Sequence, residues 1–171
     1  MGMGLGTEVA TLDAVRKIVP LCMKAVIDAD ALIPEVLNAG HRDIIVTPHA
    51  GEMKRISGIE VPGDEKRKPT FVRDFAKDNS LTVLLKGRID IISDGTQVRA
   101  NRTGNAGMTV GGTGDVLAGL TGALFAKHDA FSAACAAAFI NGAAGDLAFS
   151  EFGYGLLATD VIDRIPEVMK T

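Results

Sequence analysis

Three short apolar runs punctuate the first half of this 171-residue chain: Ala25-Val26-Ile27, Ile44-Ile45-Val46 and Thr82-Val83-Leu84-Leu85. None alternates apolar with polar residues over its length. A strand with apolar side chains on both faces is buried on both, and such strands belong to parallel sheets covered by helices on either side. The segments before, between and after the runs supply those helices, at 12–21, 70–77, 116–127, 130–149 and 159–168. Residues 89–93 and 97–100 flank Asp94-Gly95-Thr96 and read as a β-hairpin. The expectation is a three-layer α/β/α domain over residues 1–171 with a mostly parallel sheet.

In such sheets ligands bind at the carboxyl ends of the strands. One segment there is unusually rich in glycine: Gly104-Asn105-Ala106-Gly107-Met108-Thr109-Val110-Gly111-Gly112-Thr113-Gly114-Asp115. Closely spaced glycines leave backbone N–H groups unobstructed, and the helix that follows adds its own unpaired N–H groups and positive dipole end. The junction is therefore suited to an anion. Asp115 suits a phosphoryl group in transit, with the carboxylate handling the acceptor's proton. The plainer alternative is a glycine-rich turn with Asp115 as a dipole partner. The segment matches neither the Walker A pattern nor the dinucleotide fingerprint.

Other strand ends carry polar residues. Thr47-Pro48 reads as a helix start, with Thr47 as N-cap and Pro48 in the first helical position. His49 and Glu52 follow: either an exposed pair on a capped helix, or a ligand contact with Glu52 near phosphates or a water-coordinated Mg²⁺. Asp28 and Asp30 are suited to substrate hydroxyls or to capping. Lys86 and Arg88 flank Gly87 as a solvated pair or as phosphate contacts. Asn141 and Asp146, with Gly142 and Gly145, read as a site of close helix packing. Asp28, Asp30, Thr47, His49, Lys86 and the glycine loop are expected to line one cleft.

The remaining composition narrows the partners. A net charge of −3, a single Tyr and no Trp give neither the basic patch nor the stacking platform that nucleic acid needs. Cys22 and Cys135 lie far apart in apolar surroundings, as core thiols of a reducing, cytoplasmic setting do. The apolar stretch 130–149 is Ala- and Gly-rich and interrupted by Asn141 and Asp146, so it reads as a buried helix with no membrane partner.

Val46-Thr47-Pro48-His49-Ala50-Gly51-Glu52, Leu85-Lys86-Gly87 and Thr103 through Asp115 together resemble the ADP-dependent NAD(P)H-hydrate dehydratases, which are ribokinase-like. Gly4-Leu5-Gly6 and Asp28-Ala29-Asp30-Ala31-Leu32 are similar to two further motifs of that family. The resemblance implies a ribokinase-like sheet and dehydration of C6-hydrated NADH or NADPH at the expense of ADP, giving AMP and phosphate. It implies that Lys86, Gly87, Arg88, Ile89 and Asp90, with the loop from Asn105 to Gly114, border the adenine nucleotide. Gly4, His49 and Asp115 would touch the hydrated dinucleotide, Asp115 would be catalytic, and Mg²⁺ would accompany ADP or ATP, with Glu52 reaching it through water.

Two departures stand out. Gly2-Met3-Gly4-Leu5-Gly6 replaces the family's Gly-Pro-Gly-Leu-Gly, and the N-terminal portion that precedes this loop in the family is missing, so exposed sheet edges and a homo-oligomer are expected. Two other readings compete: a kinase of the same fold acting on an alcohol such as hydroxyethylthiazole, and an inactive nucleotide-binding remnant.

Overall fold

The computed structural model describes residues 1–37 and 43–170. Five strands form one sheet in sequential order: β1 (Lys24–Ile27), β2 (Asp43–Val46), β3 (Thr82–Leu85), β4 (Asp90–Ser93) and β5 (Val98–Asn101). β1, β2 and β3 pair in parallel, whereas β4 pairs antiparallel to both neighbours, so only β4 runs against the rest. The hairpin is where the sequence places it. Its turn needs Gly95, whose φ of 89° lies where residues with a Cβ are disfavoured.

Seven helices are described: α1 (Val9–Ile18), α2 (Pro34–Leu37), α3 (Ala50–Ser57), α4 (Lys68–Asn79), α5 (Thr113–Phe125), α6 (Ala130–Phe152) and α7 (Ala158–Val168). Alternate strand residues feed two cores, as the pleat requires. Ile44, Val46, Val83, Leu85 and Ile91 pack with Val15, Met53, Ile56 and Val72 of α1, α3 and α4. Ile45, Leu84 and Ile92 pack on the opposite face with Leu117 and Phe125 of α5 and the alanines of α6. The uninterrupted apolar runs thus reflect burial on two sides.

α6 is long and apolar enough to cross a membrane by length and composition. Here it lies against the sheet, α5 and α7, with Ala133, Ala134, Ala137, Ala138, Ala144 and Ala148 buried. Its small side chains let neighbours approach closely. A Cβ on Gly142 would lie 2.2 Å from the Thr103 hydroxyl oxygen and 2.7 Å from the Thr103 carbonyl. The loop before the glycine-rich segment is pressed against α6 at that point.

One helix start differs from the expectation. Thr47 is not an N-cap and Pro48 is not the first helical residue. Thr47 prolongs the line of β2, its N–H donating to the Ile27 carbonyl at 3.1 Å with its hydroxyl turned the same way, and it is fully buried outside the cleft. His49 is the cap: its Nδ1 accepts from the N–H groups of Gly51 and Glu52 at 3.0 and 3.2 Å, and Glu52 Oε2 accepts the His49 N–H at 2.8 Å. The reciprocal pair is a capping box with histidine in the usual Ser/Thr position. At the start of the chain α1 begins at Val9 and gives way to a 3₁₀ turn at Val19–Leu21, where Pro20 breaks the α-helical bonding.

Gly142→Ala is expected to lower stability by about 1–3 kcal/mol through the Thr103 clash. Gly119→Ala, in open space within α5, is expected to raise it by about 0.5–1 kcal/mol. Urea denaturation midpoints of the two variants check the pair.

Candidate functional site

Above the carboxyl ends of β2 and β3 lies a cavity of about 940 Å³. Its walls come from the residues after β3, from the glycine-rich loop, from the first turns of α5 and from the middle of α6.

A buried ion pair sits at one end. Asp28, at the end of β1, is 1% exposed, and its Oδ1 accepts a 2.7 Å hydrogen bond from Lys86 Nζ. Lys86 follows β3 and is fixed from behind by its own N–H, which donates to the Pro48 carbonyl. Its ammonium also lies 3.6 Å from Glu52 Oε2. The two acidic residues of the Asp28-Ala29-Asp30 turn part company: Asp28 points inward to Lys86, and Asp30 accepts the N–H of Gly6 at 2.9 Å. Ala29 between them has a φ of 49°, a left-handed conformation that costs of order 1–3 kcal/mol in a residue with a side chain. Arg55 Nη2 donates to its carbonyl at 2.6 Å and steadies the turn.

The Lys86 ammonium meets the start of α5. A Cβ on Gly114 would be only 3.6 Å from Nζ. The α5 N-cap is Gly112, at a φ of 96° that glycine alone adopts easily, and no side chain caps this helix. An ammonium beside a positive dipole end is unfavourable by itself, so both together define a locus for negative charge. The Thr113 hydroxyl donates back to the carbonyls of Met108 and Val110 at 2.7 and 3.0 Å, which fixes the loop just before the helix.

A second network holds the loop to α6. Asn105 Nδ2 donates to Asp146 Oδ1 at 2.8 Å and to the Gly145 carbonyl, while its Oδ1 accepts the Gly107 N–H. Asp146 also accepts the Gly104 N–H at 3.0 Å. Asp90 joins the loop after β3 to β5: it accepts from Gly87 N–H at 3.0 Å and from Asn101 Nδ2 at 3.1 Å, and Asn101 donates onward to the Ala138 carbonyl. Burial pushes the Asp90 carboxyl above its ordinary range, outweighing the two hydrogen bonds that favour its charge.

The structure thus gathers much of the expected site. His49, Lys86, Gly87, Arg88 and Asp90 line the cavity from one side, and Asn105, Ala106, Met108, Thr109, Val110, Thr113 and Gly114 line it from the other. Several residues lie elsewhere. Ile89 packs on the opposite core, Gly107 is buried against Phe149, Gly111 is exposed and Gly112 lies beside Ala158, all outside the lining. Gly4 is in an exposed turn, and Asp115 is exposed on the first turn of α5, one residue beyond the lining. Glu52 faces His49 and Lys86. Thr103, Gly104, Leu117, Ala138, Asn141 and Gly142 are additional lining residues. The cue for Asn141 was a polar residue inside an otherwise apolar helix.

Among the described residues no group of three or more His, Cys, Asp and Glu side chains could hold a metal ion. Glu52 Oε2 is already shared between the His49 N–H and Lys86. The donor set fits a Mg²⁺ held chiefly by nucleotide phosphates and water, with at most one carboxylate nearby.

This geometry, an anion locus at an uncapped helix start beside a cavity over the sheet's carboxyl edge, is suited to phosphate groups, and the fold is of the ribokinase-like α/β class. The sequence profile of the family described as NAD(P)H-hydrate dehydratase matches residues 1–167, and the chain belongs to that family. It is 45% identical over 168 residues to the bifunctional NAD(P)H-hydrate repair enzyme Nnr of Archaeoglobus fulgidus, covering 98% of this chain and 34% of that protein. It is 38% identical over 172 residues to the ADP-dependent (S)-NAD(P)H-hydrate dehydratase of Cenarchaeum symbiosum, covering 99% of this chain and 60% of that one. The crystal structure of the ADP/ATP-dependent NAD(P)H-hydrate dehydratase of Bacillus subtilis with ATP/Mg²⁺ superposes with a TM-score of 0.89 at 29% identity, over 99% of this chain and 62% of that chain. The chain therefore spans between about a third and three-fifths of the length of these curated relatives.

Two outcomes are expected from the ion pair and from Asp90. Lys86→Met strands a buried carboxylate and is expected to cost about 3–5 kcal/mol, whereas the double variant Lys86→Met/Asp28→Asn loses distinctly less; a double-mutant cycle in urea measures this. Folding holds the Asp90 proton more tightly than the unfolded chain does, so its ionisation costs stability as pH rises from the ordinary carboxylate range through the raised value. Stability measured across that window is expected to shift in favour of Asp90→Asn as pH increases.

Proposed function

We propose that this chain carries the nucleotide-binding and phosphoryl-transfer part of an enzyme that dehydrates C6-hydrated NADH or NADPH, consuming ADP and releasing AMP and phosphate. The observation that carries the reading is the Lys86 ammonium held against the uncapped start of α5 at Gly114. Hydroxide is a poor leaving group, and phosphate is a good one. The substrate's C6 oxygen attacks the β-phosphorus of ADP and AMP departs; loss of phosphate with a ring proton then forms the double bond. The free amides of the α5 start and Lys86 stabilise the moving phosphoryl group, an electrostatic contribution made by donors already in place.

Asp115 orients the hydroxyl and takes its proton. Proton removal comes late in such a transfer, so positioning of the hydroxyl dominates its part in the step. Arg88 lines the cavity and makes no hydrogen bond or ion pair among the described residues, so it is available to phosphates. The faces of Gly4 and His49 would meet the hydrated dinucleotide. Bound Mg²⁺ would neutralise phosphate charge, with Glu52 reaching it through water. The protein is expected to act as a homo-oligomer in the cytoplasm.

Asp115→Ala is expected to reduce recovery of absorbance at 340 nm from hydrated NADH plus ADP by at least about a hundredfold, while ADP affinity stays within a few-fold by calorimetry. Equal loss of both would place Asp115 in binding or folding. Consumption of ADP without recovery at 340 nm would point to a kinase acting on another alcohol.

A further inference from the structure

Among the described residues only Ala29 and Ser80 combine a side chain with a positive φ. Ser80 closes α4, where a left-handed residue is the ordinary way to end a helix. Ala29 instead opens a 3₁₀ turn (Ala29–Ala31), and its φ of 49° persists only if the surroundings impose it. Its methyl group offers none of the local hydrogen bonding that lets Asn and Asp visit this region. The support comes from across the turn. Arg55, exposed on α3, donates through Nη2 to the Ala29 carbonyl at 2.6 Å. A charged donor makes a bond roughly twice as strong as a neutral one.

What the turn fixes is the residue before it. The Asp28 N–H donates to the Met1 carbonyl at 3.0 Å, and the Asp28 carbonyl accepts the Ala31 N–H at 3.2 Å. With its backbone held on both sides, Asp28 presents Oδ1 to Lys86 Nζ at 2.7 Å. A return of Ala29 to negative φ would swing the peptide that joins it to Asp28 and turn that carboxylate away. The second acid beside Lys86 is Glu52, 3.6 Å from the ammonium and three residues before Arg55, so both lie on one face of α3. α3 therefore governs both acids around the ammonium, Glu52 directly and Asp28 by way of Arg55 and Ala29.

We infer that Arg55 is a positioning residue for the phosphate locus: by holding Ala29 left-handed it aims Asp28, and through Asp28 it aims the Lys86 ammonium at the start of α5. This rests on the reading of that locus as the seat of the moving phosphoryl group. Arg55 is absent from the cavity lining and touches neither ligand. Its influence is confined to the part of the nucleotide that Lys86 meets.

AMP lacks the β-phosphate that Lys86 would meet, so ADP and AMP together separate loss of aim from general damage. Both are titrated by calorimetry, with Mg²⁺ present, into the full chain, into Arg55→Met and into Arg55→Met/Ala29→Gly. The wild type is expected to bind ADP more tightly than AMP. Arg55→Met is expected to weaken ADP about tenfold, as loss of one charge-assisted hydrogen bond would, and AMP by less than about twofold. Glycine adopts the left-handed conformation freely, so the double variant is expected to return to within about threefold of wild-type ADP affinity. Should Arg55→Met lack a wild-type melting transition, Arg55→Lys, which keeps the charge and withdraws the donor, is read by the same criteria. The proposal is overturned if ADP affinity is unchanged, if ADP and AMP weaken together, or if Ala29→Gly restores nothing; the phosphate locus survives each of these results. A wild type that binds ADP no better than AMP overturns the locus, and this proposal with it.

Discussion

The site depends on a lysine being held where its charge is least welcome. Lys86 stands beside the positive end of α5, and only the carboxylates of Asp28 and Glu52 make that position tenable. Asp28 is almost wholly buried, so the pair gains from a low local dielectric and would be costly to break from either side. Its members come from the ends of two parallel strands with β2 between them, and Glu52 comes from the helix that follows β2. One cluster of charges therefore ties the ends of three consecutive strands to the start of α5. The sheet's register determines the anion locus, because a shift of any of these strands would separate the charges.

The opposite wall depends on small side chains. α6 can serve as a central helix because its alanines let it lie close to the sheet, while Gly142 and Gly145 let the loop and Met108 sink into its surface. Asn105 and Asp146 then lock the loop in place with three hydrogen bonds spanning about forty residues of sequence. Close packing at the glycines and polar locking at their rim leave an open volume above. Leu117 of α5 and Ala138 and Asn141 of α6 line that volume.

Much of this was legible in the sequence, and the misses have physical causes. Uninterrupted apolar strands gave the sheet, and a glycine-dense loop before an apolar helix gave the anion locus, because both signals are local. The Thr47-Pro48 helix start failed because Thr47 was needed to extend β2, and tertiary pairing overrode a local capping preference. Glu52, three residues after His49, was the visible half of the true capping box. The Asp28–Lys86 pair spans 58 residues, and no spacing rule reaches that far. Asn141 was noticed only as an interruption, since small apolar residues all round α6 hide in the sequence which of its faces is buried. Parallel strands were foreseen, and the reversal of β4 followed from the hairpin.

Around the cavity the carboxylates divide by what already occupies them. Asp28 and Glu52 are committed to Lys86 and His49, Asp90 to Gly87 and Asn101, and Asp146 to Gly104 and Asn105. Each holds backbone or charge in place, and asking any of them to accept a substrate proton would loosen the wall it supports. Asp115 alone among these makes no hydrogen bond or ion pair among the described residues, and it stands exposed beside the amides of the α5 start. A proton acceptor for an incoming alcohol must be uncommitted, near the phosphoryl locus and reachable from solvent. Among these described carboxylates Asp115 meets the first and the last, and its place on the first turn of α5 brings it to the anion locus, which supports the proposed role more strongly than its place in a motif does.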